Sequence, residues 1–519
     1  MKSIIPIQRA LISVSDKSDL IPFATALHQQ HQINLISTGG TQTALEAEKL
    51  PTTGVSEITQ FPEMMDNRVK TLHPKIHGGI LARRDQDAQA LQDHHIQPID
   101  LVVVNLYPFE KTAQATADIS ALIQNIDVGG PAMIRGAAKN HEWVTVVVDP
   151  EDYSLILEEL STYQGIRLET RQRLAVKAFA HTAYYDSLIS QTLGKHYEHS
   201  AFSERFTLPL RQQQILRYGE NPHQKAYCYV NPIQTEITLA NAIPLQGKPL
   251  SFNNLNDADT ALQCAYQFDT PACVIVKHAN PCGAALADDL LTAYQKAFSC
   301  DTEAAYGGIV AVNQAVDAGL IDAIFSKQFV EVILAPEFTA AALSLAAQKA
   351  NCRLLAVPKA SFKVNDIDIK PIHGGMLIQE TDQAILAEDK LEVVGLHQPT
   401  ATMIRDGLFA WGLCKYVKSN AIVYVKDQQT VGIGAGQMRR VMSSQIGVQQ
   451  AQYYQLPIEG AVMASDAFLP FPDNVVVAAK AGIRCIFQPG GSKRDKEVIE
   501  AANDLGIAMI FTHQRHFRH

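Results

Sequence analysis

Two almost uninterrupted apolar runs constrain the fold of this chain more than any other feature of its sequence. They are IDLVVV at residues 99–104 and WVTVVV at residues 143–148. Strands of this composition are buried on both faces, as in parallel sheets that carry helices on either side. Shorter strand-like segments precede them at residues 10–14 and 33–37. The N-terminal part is therefore predicted to be an α/β fold built on a doubly wound parallel sheet.

Helix-like segments alternate with these strands and then extend beyond them. They are predicted at residues 19–30, from Thr41 onward and over residues 150–191. Residues 195–214 are polar and lack a clear period, which is typical of a linker. Beyond the linker, strand signals recur between long alanine-rich helical segments, near Ala272, Gly308, Ala421, Gly432 and Arg484.

The length of the chain, 519 residues, exceeds what a single hydrophobic core supports. We expect an N-terminal domain at residues 1–199, in which the sheet occupies about residues 1–150 and the helical stretch extends it. A larger C-terminal α/β domain is expected at residues 200–519, with two subdomains. The sequence contains no repeat of fixed period.

Charge and cysteine content argue against several classes of protein. The formal net charge of −9 disfavours a nucleic-acid-binding protein that depends on phosphate contacts. Eight cysteines lie at irregular spacings between Cys228 and Cys485, which fits reduced thiols better than a disulfide framework or a zinc site. The sequence has no leader-like start and no apolar run of membrane-spanning length, so a cytoplasmic location is expected.

Two short polar loops follow the first two predicted strands and have the composition of phosphate cradles. Their glycines let the backbone approach an anion, and a following helix N-terminus adds favourable partial charge. Neither loop matches a Walker motif, and two ordinary βα turns remain the alternative. The residues concerned are Ser15, Asp16, Lys17, Thr38, Gly39, Gly40 and Thr41.

A denser basic segment, RVKTLHPKIHGG at residues 68–79, is predicted to be an ordered anion-binding loop rather than a solvated basic one. Further along, Asp127 and Lys139 supply a carboxylate and an ammonium twelve residues apart. Such a pair can share acid and base roles because each group perturbs the pKa of the other. A structural salt bridge is equally consistent with this spacing.

The segment KHANPCG at residues 277–283 follows an apolar strand and delivers a cation and an imidazole side by side. Pro281 and Gly283 are predicted to force the chain out of the strand, which would place Lys277 and His278 at a sheet edge typical of active sites. Imidazole moves protons near neutral pH, and an ammonium stabilises developing negative charge. A solvated lysine beside a capping histidine is the alternative.

The same segment argues against a zinc deaminase, whose signature is HxE followed by PCxxC. The second cysteine position of that signature is Ala285 here, and the HxE motif is absent, so no metal site is predicted. The GIGAGQ segment fails as a dinucleotide fingerprint because Gln437 replaces the last glycine. A glycine-rich loop that frames a heterocycle remains open.

Three further segments could contact a ligand or serve the fold alone. The aromatic segment at residues 465–473 could stack on a ring or pack on the core. Residues 489–495 predict a turn into a helix whose N-terminus could bind a carboxylate or a phosphate. The tail RHFRH, at residues 515–519, would usually be a frayed end.

Taken in order, these motifs resemble those of the PurH family of bifunctional purine biosynthesis enzymes, AICAR transformylase/IMP cyclohydrolase. The resemblance runs nearly from end to end and rests on SVSDK, STGGT, RVKTLHPKIHGGILAR, NLYPF, AAKNH, RYGENPHQ, KHANPCG, KSNAIV, GIGAGQ, SDAF, PGGS and RHFRH. It implies an N-terminal cyclohydrolase domain similar to methylglyoxal synthase. It also implies a C-terminal transformylase with two cytidine-deaminase-like subdomains.

The resemblance implies two successive reactions without a catalytic metal. Formyl passes from 10-formyltetrahydrofolate to AICAR, which gives FAICAR and tetrahydrofolate, and FAICAR then closes to IMP with loss of water. The resemblance further implies a homodimer, and it leaves a bound monovalent cation open.

In the transformylase half, the resemblance implies that His278 removes the amine proton and that Lys277 stabilises the tetrahedral intermediate. AICAR is expected at Arg217, Tyr218, His278, Gly307, Glu331, Asn420 and Arg515. The folate is expected at Arg440, Val441, Phe468, Asp473, Ser492 and Lys493.

In the cyclohydrolase half, the resemblance implies proton transfer by Lys139, with Asp127, Lys70 and Tyr107 beside it. The nucleotide is expected at Ser15, Asp16, Lys17, Thr38, Gly39, Gly40, Thr41, Arg68, Val69, Lys70, Thr71, Val104, Asn105, Asp127 and Val128. Two other functions remain open at this point. One is a single-activity enzyme whose N-terminal domain only binds a phosphorylated effector, and the other is a non-catalytic protein that binds nucleotides or nucleic acid.

Overall fold

The computed structural model describes residues 3–65, 68–197, 202–234, 236–362, 364 and 366–519. The chain forms two compact units. The first comprises Met1–Arg211 and Asn231–Thr235, and the second comprises Gln212–Val230 and Glu236–His519. The domain boundary predicted between residues 199 and 200 lies outside the described residues.

The first unit is built on a parallel sheet with a hydrophobic core on each face. Its strands are β1 (Ile4–Ile5), β2 (Arg9–Val14), β3 (Asn34–Ser37), β4 (Thr52–Gly54), β5 (Leu101–Asn105), β6 (Thr145–Val147) and β7 (Ile166–Arg167). Five of them pair in parallel in the order β4-β3-β2-β5-β6, and β1 pairs with β7 separately. Along β2, Leu11 packs in one core and Ile12 in the other, because successive side chains of a strand point to opposite faces. The predicted doubly wound sheet is confirmed.

Helices cover both faces of this sheet. They are α1 (Leu20–Thr25), α2 (Gly39–Ala47), α3 (Val55–Thr59), α4 (Pro74–Leu81), α5 (Ala88–Asp93), α6 (Phe109–Ala115), α7 (Ile119–Gln124), α8 (Gly129–Lys139), α9 (Tyr153–Tyr163) and α10 (Leu168–Tyr197). Apolar side chains of α4, α8 and α10 form one core, and those of α1 and α9 form the other.

The helical stretch predicted at residues 150–191 consists of two helices. α9 ends at Tyr163, and β7 intervenes before α10 begins. A Cβ on Gly165 would lie 2.5 Å from the carbonyl oxygen of Ile5, so this backbone contact between the strands needs a glycine. Two smaller differences concern α1, which continues as a π-helical turn at Ala26–Gln30, and α2, which begins at Gly39 rather than at Thr41.

A buried arginine joins α10 to the chain just beyond α8. Arg171 is fully buried, and its guanidinium donates hydrogen bonds to the carbonyl oxygens of His141 (2.9 Å), Glu142 (3.1 Å) and Ile166. Burial lowers the pKa of Arg171. Backbone carbonyl groups that are buried need hydrogen-bond donors, and the guanidinium of Arg171 donates to all three. These bonds tie the segment that follows α8 to α10 and β7.

The second unit contains one large mixed sheet and two separate two-stranded sheets. Its strands are β8 (Arg211–Leu216), β9 (Ala226–Val230), β10 (Ala272–Lys277), β11 (Asn280–Leu286), β12 (Gly308–Val312), β13 (Val330–Ala335), β14 (Arg353–Ala356), β15 (Ile367–Ile372), β16 (Gly375–Glu380), β17 (Glu392–Val393), β18 (Ile422–Lys426), β19 (Gln429–Gly434), β20 (Val462–Ser465), β21 (Cys485–Gln488) and β22 (Ala508–Phe511). The large sheet has the order β14-β13-β12-β10-β11-β19-β18-β20-β21-β22-β17, while β8-β9 and β15-β16 stand apart.

The helices of this unit pack on both faces of the large sheet. They are α11 (Phe252–Tyr266), α12 (Leu290–Cys300), α13 (Ala318–Lys327), α14 (Ala340–Ala346), α15 (Ala401–Cys414), α16 (Arg440–Tyr453), α17 (Asp473–Lys480) and α18 (Asp495–Asp504). α11 and α15 share one core, and the others form two cores on the opposite face. In the described part of the chain, no helix combines the length and apolar character that a membrane crossing needs.

The large sheet consists of two halves with the same order of elements, although the sequence contains no fixed-period repeat. Each half runs helix, antiparallel hairpin, helix, strand, helix, strand, helix, strand. The first half begins with α11 and β10, and the second begins with α15 and β18. The two halves meet where β11 pairs with β19. Two subdomains are thus visible, and their likeness to cytidine deaminases stays a prediction.

In this sheet one sequence prediction is wrong, and part of a glycine-rich loop that the sequence left open is a strand instead. Pro281 and Gly283 do not end a strand, because both lie inside β11. A Cβ on Gly283 would lie 2.0 Å from the carbonyl oxygen of Ala297, so the missing side chain lets α12 lie against the strand. Gly432 and Gly434 in β19 likewise let α16 lie against the sheet. A Cβ on Gly432 would lie 2.2 Å from the carbonyl oxygen of Gly447, and a Cβ on Gly434 would lie 1.9 Å from that of Ser443. These two glycines serve packing rather than a ligand loop.

Candidate functional sites

A cavity of ≈550 Å³ opens in the first unit where β2, β3 and β5 end. Parallel sheets place their ligands at this edge. Of the residues predicted to bind or convert the nucleotide, the cavity is lined by Ser15, Lys17, Thr38, Gly39, Gly40, Thr41, Arg68, Lys70, Thr71, Val104, Asn105, Tyr107, Asp127 and Val128. The other lining residues, which were not predicted as site residues, are Ser13, Val14, Ile123, Gln124, Ile126, Gly129, Gly130 and Met133.

Asn105 shapes the loop that follows β2. Its carboxamide oxygen accepts hydrogen bonds from the backbone N–H groups of Ser15 (2.6 Å) and Asp16 (2.9 Å), and its Nδ2 donates to the carbonyl of Asp16 (2.9 Å). The carboxylate of Asp16 accepts from the hydroxyl and N–H of Ser18, which lowers the pKa of Asp16. Lys17 lines the cavity, whereas Asp16 is engaged in this turn outside it.

In the second loop, the backbone of Gly39 closely approaches the ammonium of Lys70. Gly39 has a φ of +55°, and a Cβ there would lie 2.8 Å from Lys70 Nζ. Glycine is the residue that adopts this conformation and leaves this space. The Thr41 hydroxyl donates to the carbonyl of Val14 and accepts from its N–H, both at 3.0 Å. An anion in this loop could therefore bind to a helix N-terminus and to a cation. The hydroxyl of Thr41 is already hydrogen-bonded to β2.

Glu63 fixes the ammonium of Lys70 at the cavity wall, although the sequence analysis did not select it. Its Oε2 lies 3.4 Å from Lys70 Nζ, and its Oε1 accepts from the hydroxyl of Thr38 at 2.7 Å. The side chain of Lys70 is 16% exposed, so little water competes for this ammonium. A single glutamate in a loop carries no periodicity or motif, and no sequence signal pointed to Glu63.

Asp127 lies just before α8, and its carboxyl oxygen accepts from the N–H of Gly130 at 2.8 Å. Its own N–H donates to the hydroxyl of Tyr185 at 2.9 Å. Burial raises the pKa of Asp127, and backbone N–H groups oppose that effect. Burial and the charges of Asp127 and Glu63 raise the pKa of Tyr107. At neutral pH the cavity thus holds a protonated phenol and a carboxyl that takes up a proton more readily than an exposed aspartate does.

Lys139 does not line this cavity, and the predicted pairing of Lys139 with Asp127 is not observed. Asp127 precedes the first residue of α8, and Lys139 is its last residue. The ten steps from Gly129 to Lys139 advance roughly 15 Å along the helix axis. Lys139 is exposed at the far end of the helix. The ammonium groups that line the cavity belong to Lys17 and Lys70.

The basic segment contributes to the cavity in part. Arg68 donates from its guanidinium to the carboxamide oxygen of Gln124 at 2.6 Å, and both residues line the cavity. Val69 forms an isolated backbone bridge with Met64 and is not a lining residue.

In the second unit, Lys277 and His278 lie at the turn of the β10–β11 hairpin. Lys277 ends β10, and its Nζ donates to the carbonyl oxygens of Tyr306 (3.0 Å) and Gly307 (3.2 Å). His278 and Ala279 form the two-residue turn, with φ values of 53° and 55°. His278 is exposed. The cation and the imidazole are side by side as predicted, and the tight turn is what presents them.

Gly307 and Glu331 lie at the same sheet edge as this turn. β12 is antiparallel to β10 and parallel to β13, so the first residues of β12 and β13 adjoin the end of β10. The N–H of Gly307 donates to the carbonyl of Phe329 at 2.7 Å. One carboxylate oxygen of Glu331 pairs with the guanidinium of Arg353 at 2.7 Å. The strand ends therefore gather three of the predicted AICAR residues, His278, Gly307 and Glu331.

Asn280 connects this edge to Asn420, another predicted AICAR residue. Its Nδ2 donates to the carbonyl of His278 at 3.2 Å, and its Oδ1 accepts from the N–H of Lys418 at 2.9 Å. Asn420, two residues further on, donates from Nδ2 to the carbonyl of Gln437 at 2.8 Å.

A second cavity, of ≈300 Å³, contains four of the predicted folate residues. Its lining consists of Asn420, Met438, Arg439, Arg440, Val441, Ala467, Phe468, Pro470, Phe471, Asp473, Asn474 and Phe517. Ser492 and Lys493, also predicted for the folate, precede α18 outside this lining. Three phenylalanine rings beside polar groups suit a flat heterocycle with hydrogen-bonding edges.

The C-terminal tail is not frayed, contrary to the usual behaviour of chain ends. The N–H of Ser419 donates to the carbonyl of Arg518 at 2.9 Å, and the N–H of His516 donates to the carbonyl of Asp466 at 2.8 Å. These bonds hold Phe517 in the cavity wall. Phe517 was not among the predicted site residues, because an aromatic residue near a terminus carries no signal of its own.

The two arginines predicted for AICAR lie next to aromatic rings. Arg217 is 5.5 Å from the ring centroid of Tyr218, and Arg515 is 4.8 Å from that of Phe517. Both arginines are exposed. Their guanidinium groups are thus available to an anionic ligand.

The Cys282 thiol points back into the hairpin, where its Sγ lies 3.5 Å from the carbonyl oxygen of Ile275. Burial raises its pKa well above the usual range. Over the described ranges, no three histidine, cysteine, aspartate or glutamate side chains are grouped to hold a metal ion.

Comparison with known proteins identifies two matching family models. The model described as "AICARFT/IMPCHase bienzyme" matches residues 137–450, and the "MGS-like domain" model matches residues 19–132. Among solved structures, "Crystal structure of ForH" is 34% identical in sequence, and the match covers 36% of this chain and 100% of that one, with a TM-score of 0.33.

Proposed function

Because the chain belongs to the AICARFT/IMPCHase bienzyme family, we propose that each unit carries one of its two reaction centres. The family combines formyltetrahydrofolate-dependent formyl transfer to AICAR with IMP cyclohydrolase activity, and this chain is such a bifunctional enzyme of purine biosynthesis. The observation that carries the assignment is the presence of two separate cavities. One has an ammonium, a phenol and a carboxyl, and the other lies in the unit with Lys277 and His278.

The formyl transfer is assigned to Lys277 and His278. The amino nitrogen of AICAR forms a bond to the formyl carbon, the bond from that carbon to the folate nitrogen breaks, and a proton moves from the amine to the departing nitrogen. His278, exposed at the turn, takes the amine proton. The Lys277 ammonium stabilises the negative charge that develops on the formyl oxygen. The hydrogen bonds from the Lys277 ammonium to the carbonyl oxygens of Tyr306 and Gly307 orient it before substrate binds.

The acceptor AICAR is proposed to bind at the strand edge beside this pair. The second carboxylate oxygen of Glu331, beyond the one that pairs with Arg353, accepts from the ribose hydroxyls. The remaining contacts are proposed at Arg217, Tyr218, Gly307, Asn420 and Arg515. Exposed guanidinium groups suit the phosphate of such a nucleotide.

The donor is proposed to be 10-formyltetrahydrofolate, with its ring system in the ≈300 Å³ cavity. The folate supplies an activated formyl group. Phe468 and Phe517 offer faces for a flat ring, and Asp473 offers a carboxylate to its amino-bearing edge. Arg440, Val441, Ser492 and Lys493 complete the proposed contacts.

The cyclohydrolase is assigned to Lys70, Tyr107 and Asp127 in the first unit. Ring closure joins the carboxamide nitrogen of FAICAR to its formyl carbon, and water then leaves from that carbon. The protonated phenol of Tyr107 and the ammonium of Lys70 donate hydrogen bonds to the formyl oxygen. Asp127 accepts one proton from the carboxamide nitrogen and passes it to the formyl oxygen, for which a raised pKa is suited. The departing water takes its second proton from the nitrogen that carried the formyl group, as the C=N bond of the new ring forms. Because one bound molecule closes on itself, positioning contributes much of the rate.

The phosphate of FAICAR is proposed to bind between the loops that follow β2 and β3. Lys17, Gly39 and Gly40 line that side of the cavity, and α2 begins there. Arg68, Thr71, Val104, Asn105 and Val128 border the rest of the nucleotide in this proposal.

Two assays on the full chain test the assignment. One measures tetrahydrofolate released from 10-formyltetrahydrofolate in the presence of AICAR, and the other measures FAICAR cyclisation alone. His278→Ala is expected to abolish the first and leave the second, and Lys70→Ala is expected to do the reverse. If both variants lost both activities together, separate centres would be ruled out. If the wild type did not cyclise FAICAR, the first unit would bind an effector only.

A homodimer is proposed on the resemblance to the family alone. Light scattering on the purified protein at micromolar concentration measures the mass, and we expect twice that of the 56.9 kDa chain.

A further inference from the structure

The hairpin that carries His278 has a second copy in the other half of the sheet. β10 and β11 are joined by two residues, His278 and Ala279, and β18 and β19 are likewise joined by Asp427 and Gln428. All four of these residues have φ between 50° and 56°. Few residues other than glycine adopt this left-handed conformation without support.

The resemblance between the two hairpins extends to neighbouring residues. Each has a register shift two residues before the lysine that ends its first strand, Lys277 in one and Lys426 in the other. Each lysine donates from Nζ to a backbone carbonyl just before the third strand of its half; for Lys426 this is the carbonyl of Glu459, at 2.6 Å. The two turns therefore occupy equivalent positions in the two halves of the large sheet.

One carboxylate holds each turn. On α11, Asp257 accepts from the N–H of His278 at 3.2 Å and from the N–H of Ala279 at 2.7 Å. On α15, Asp406 accepts from the N–H groups of Asp427 and Gln428 at 2.9 and 2.8 Å. Asp406 is buried and Asp257 is half-buried, and this burial raises the pKa of both carboxyl groups. The two bonds compensate the unfavourable backbone conformation of the turn.

We propose that Asp257 is a positioning residue for formyl transfer, because it fixes the backbone from which the imidazole of His278 projects. This inference rests on the proposed role of His278. Asp406 holds the same kind of turn at Asp427 and Gln428, which are not among the residues assigned to either reaction centre. The repeated carboxylate thus has a structural role in both halves and an additional catalytic consequence in the first half alone.

His278 is exposed, so packing does not hold its ring, and its direction depends on the turn. Both N–H groups of the turn bind one carboxylate that is itself anchored in the middle of α11. Without Asp257, the left-handed pair of residues loses its two partners and relaxes. A displacement of about 1 Å at a reacting group can cost about 100-fold in rate.

The experiment compares Asp257→Ala with Asp406→Ala in the full chain. Steady-state transformylase kinetics give kcat and the KM for AICAR and for 10-formyltetrahydrofolate, FAICAR cyclisation serves as the internal control, and thermal denaturation reports the fold. We expect Asp257→Ala to lower the transformylase kcat by about 10- to 100-fold, with the folate KM and cyclisation unchanged. Asp406→Ala is expected to lower the melting temperature by about as much as Asp257→Ala does. It is expected to change kcat by less than about threefold.

A conservative variant separates positioning from stability. Asp257→Asn keeps one acceptor oxygen and is expected to give a kcat between those of the wild type and Asp257→Ala. It also replaces Asp257→Ala if that variant fails to fold. Equal effects of the Asp257 and Asp406 variants on kcat, or an unchanged kcat in Asp257→Ala, would overturn the proposal. His278→Ala is measured alongside, because full transformylase activity in that variant would overturn the proposed function itself.

Discussion

Arg440 and Asp466 form an ion pair in the interior of the second unit, with side chains 7% and 0% exposed. The guanidinium also donates to the Ser465 hydroxyl at 3.0 Å and to the carboxamide oxygen of Asn420 at 2.6 Å. The other carboxylate oxygen of Asp466 accepts from the Ser419 hydroxyl at 2.5 Å. One buried network therefore orients a predicted AICAR residue, Asn420, from a predicted folate residue, Arg440.

Replacing Asp466 by Asn tests this network. The buried guanidinium of Arg440 loses its counter-charge, and breaking such a pair typically lowers the free energy of unfolding by about 3–5 kcal/mol. We expect the transformylase KM for AICAR to rise as Asn420 loses its orientation, while FAICAR cyclisation is unchanged. Chemical denaturation and both assays measure these effects. Asp269→Asn, which breaks the exposed ion pair with Lys359, is the control and should change stability little.

Lys70 and Lys139 are expected to differ sharply when each is changed to alanine. Lys70 lines the cavity and pairs with Glu63. Its loss removes the ammonium that is proposed to contact the formyl oxygen. We expect FAICAR cyclisation to fall by about 100- to 1,000-fold in Lys70→Ala. Lys139 is exposed at the far end of α8, and Lys139→Ala should stay within about threefold of the wild type. A loss of cyclisation in Lys139→Ala as large as in Lys70→Ala would restore the assignment made from the sequence.

Asp127→Asn is expected to reduce activity without reducing stability. Burial raises the pKa of Asp127 in the folded protein, so its ionisation opposes folding. That cost is absent below the pKa of this carboxyl in the unfolded chain, grows as the pH rises, and is complete above its raised pKa in the folded protein. Asparagine carries no charge and keeps an oxygen for the N–H of Gly130. Thermal denaturation at pH 7 should show a melting temperature equal to or above that of the wild type.

The same Asp127 variant is expected to cyclise FAICAR about 100- to 10,000-fold more slowly, because a carboxamide cannot exchange the proton. Transformylase activity in the second unit serves as its control. A melting temperature clearly below that of the wild type, together with normal cyclisation, would show that Asp127 has only a structural role.

The sequence predicted the parts of this protein that depend on local pattern. Apolar strands such as residues 101–105 can be recognised in the sequence, because burial on both faces requires an unbroken apolar run. The loops at Lys17 and Gly39 were found for a similar reason, since they follow strands and parallel sheets collect such loops at one edge. Fourteen of the predicted nucleotide and catalytic residues of the first unit do line its cavity.

The predictions that are wrong depend on contacts between distant segments. The spacing of Asp127 and Lys139 could not reveal that a straight helix separates them. Gly283 was interpreted as a turn signal, although its hydrogen faces the backbone of α12, which no local pattern reports. Asp257 has no distinguishing neighbours in sequence, and only the fold brings it to the N–H groups of a turn 21 residues away.

The glycines of β19 provide the last test of this distinction between packing and binding. A Cβ on Gly432 would lie 2.2 Å from the carbonyl oxygen of Gly447, and neither backbone can move without separating α16 from the sheet. Because α16 begins at Arg440, Gly432→Ala should lower both the melting temperature and the transformylase activity while FAICAR cyclisation persists. Gly375→Ala, in β16, places its Cβ in open space and is the matched control. If Gly432→Ala kept its melting temperature and only the folate KM rose, Gly432 would belong to a ligand loop after all.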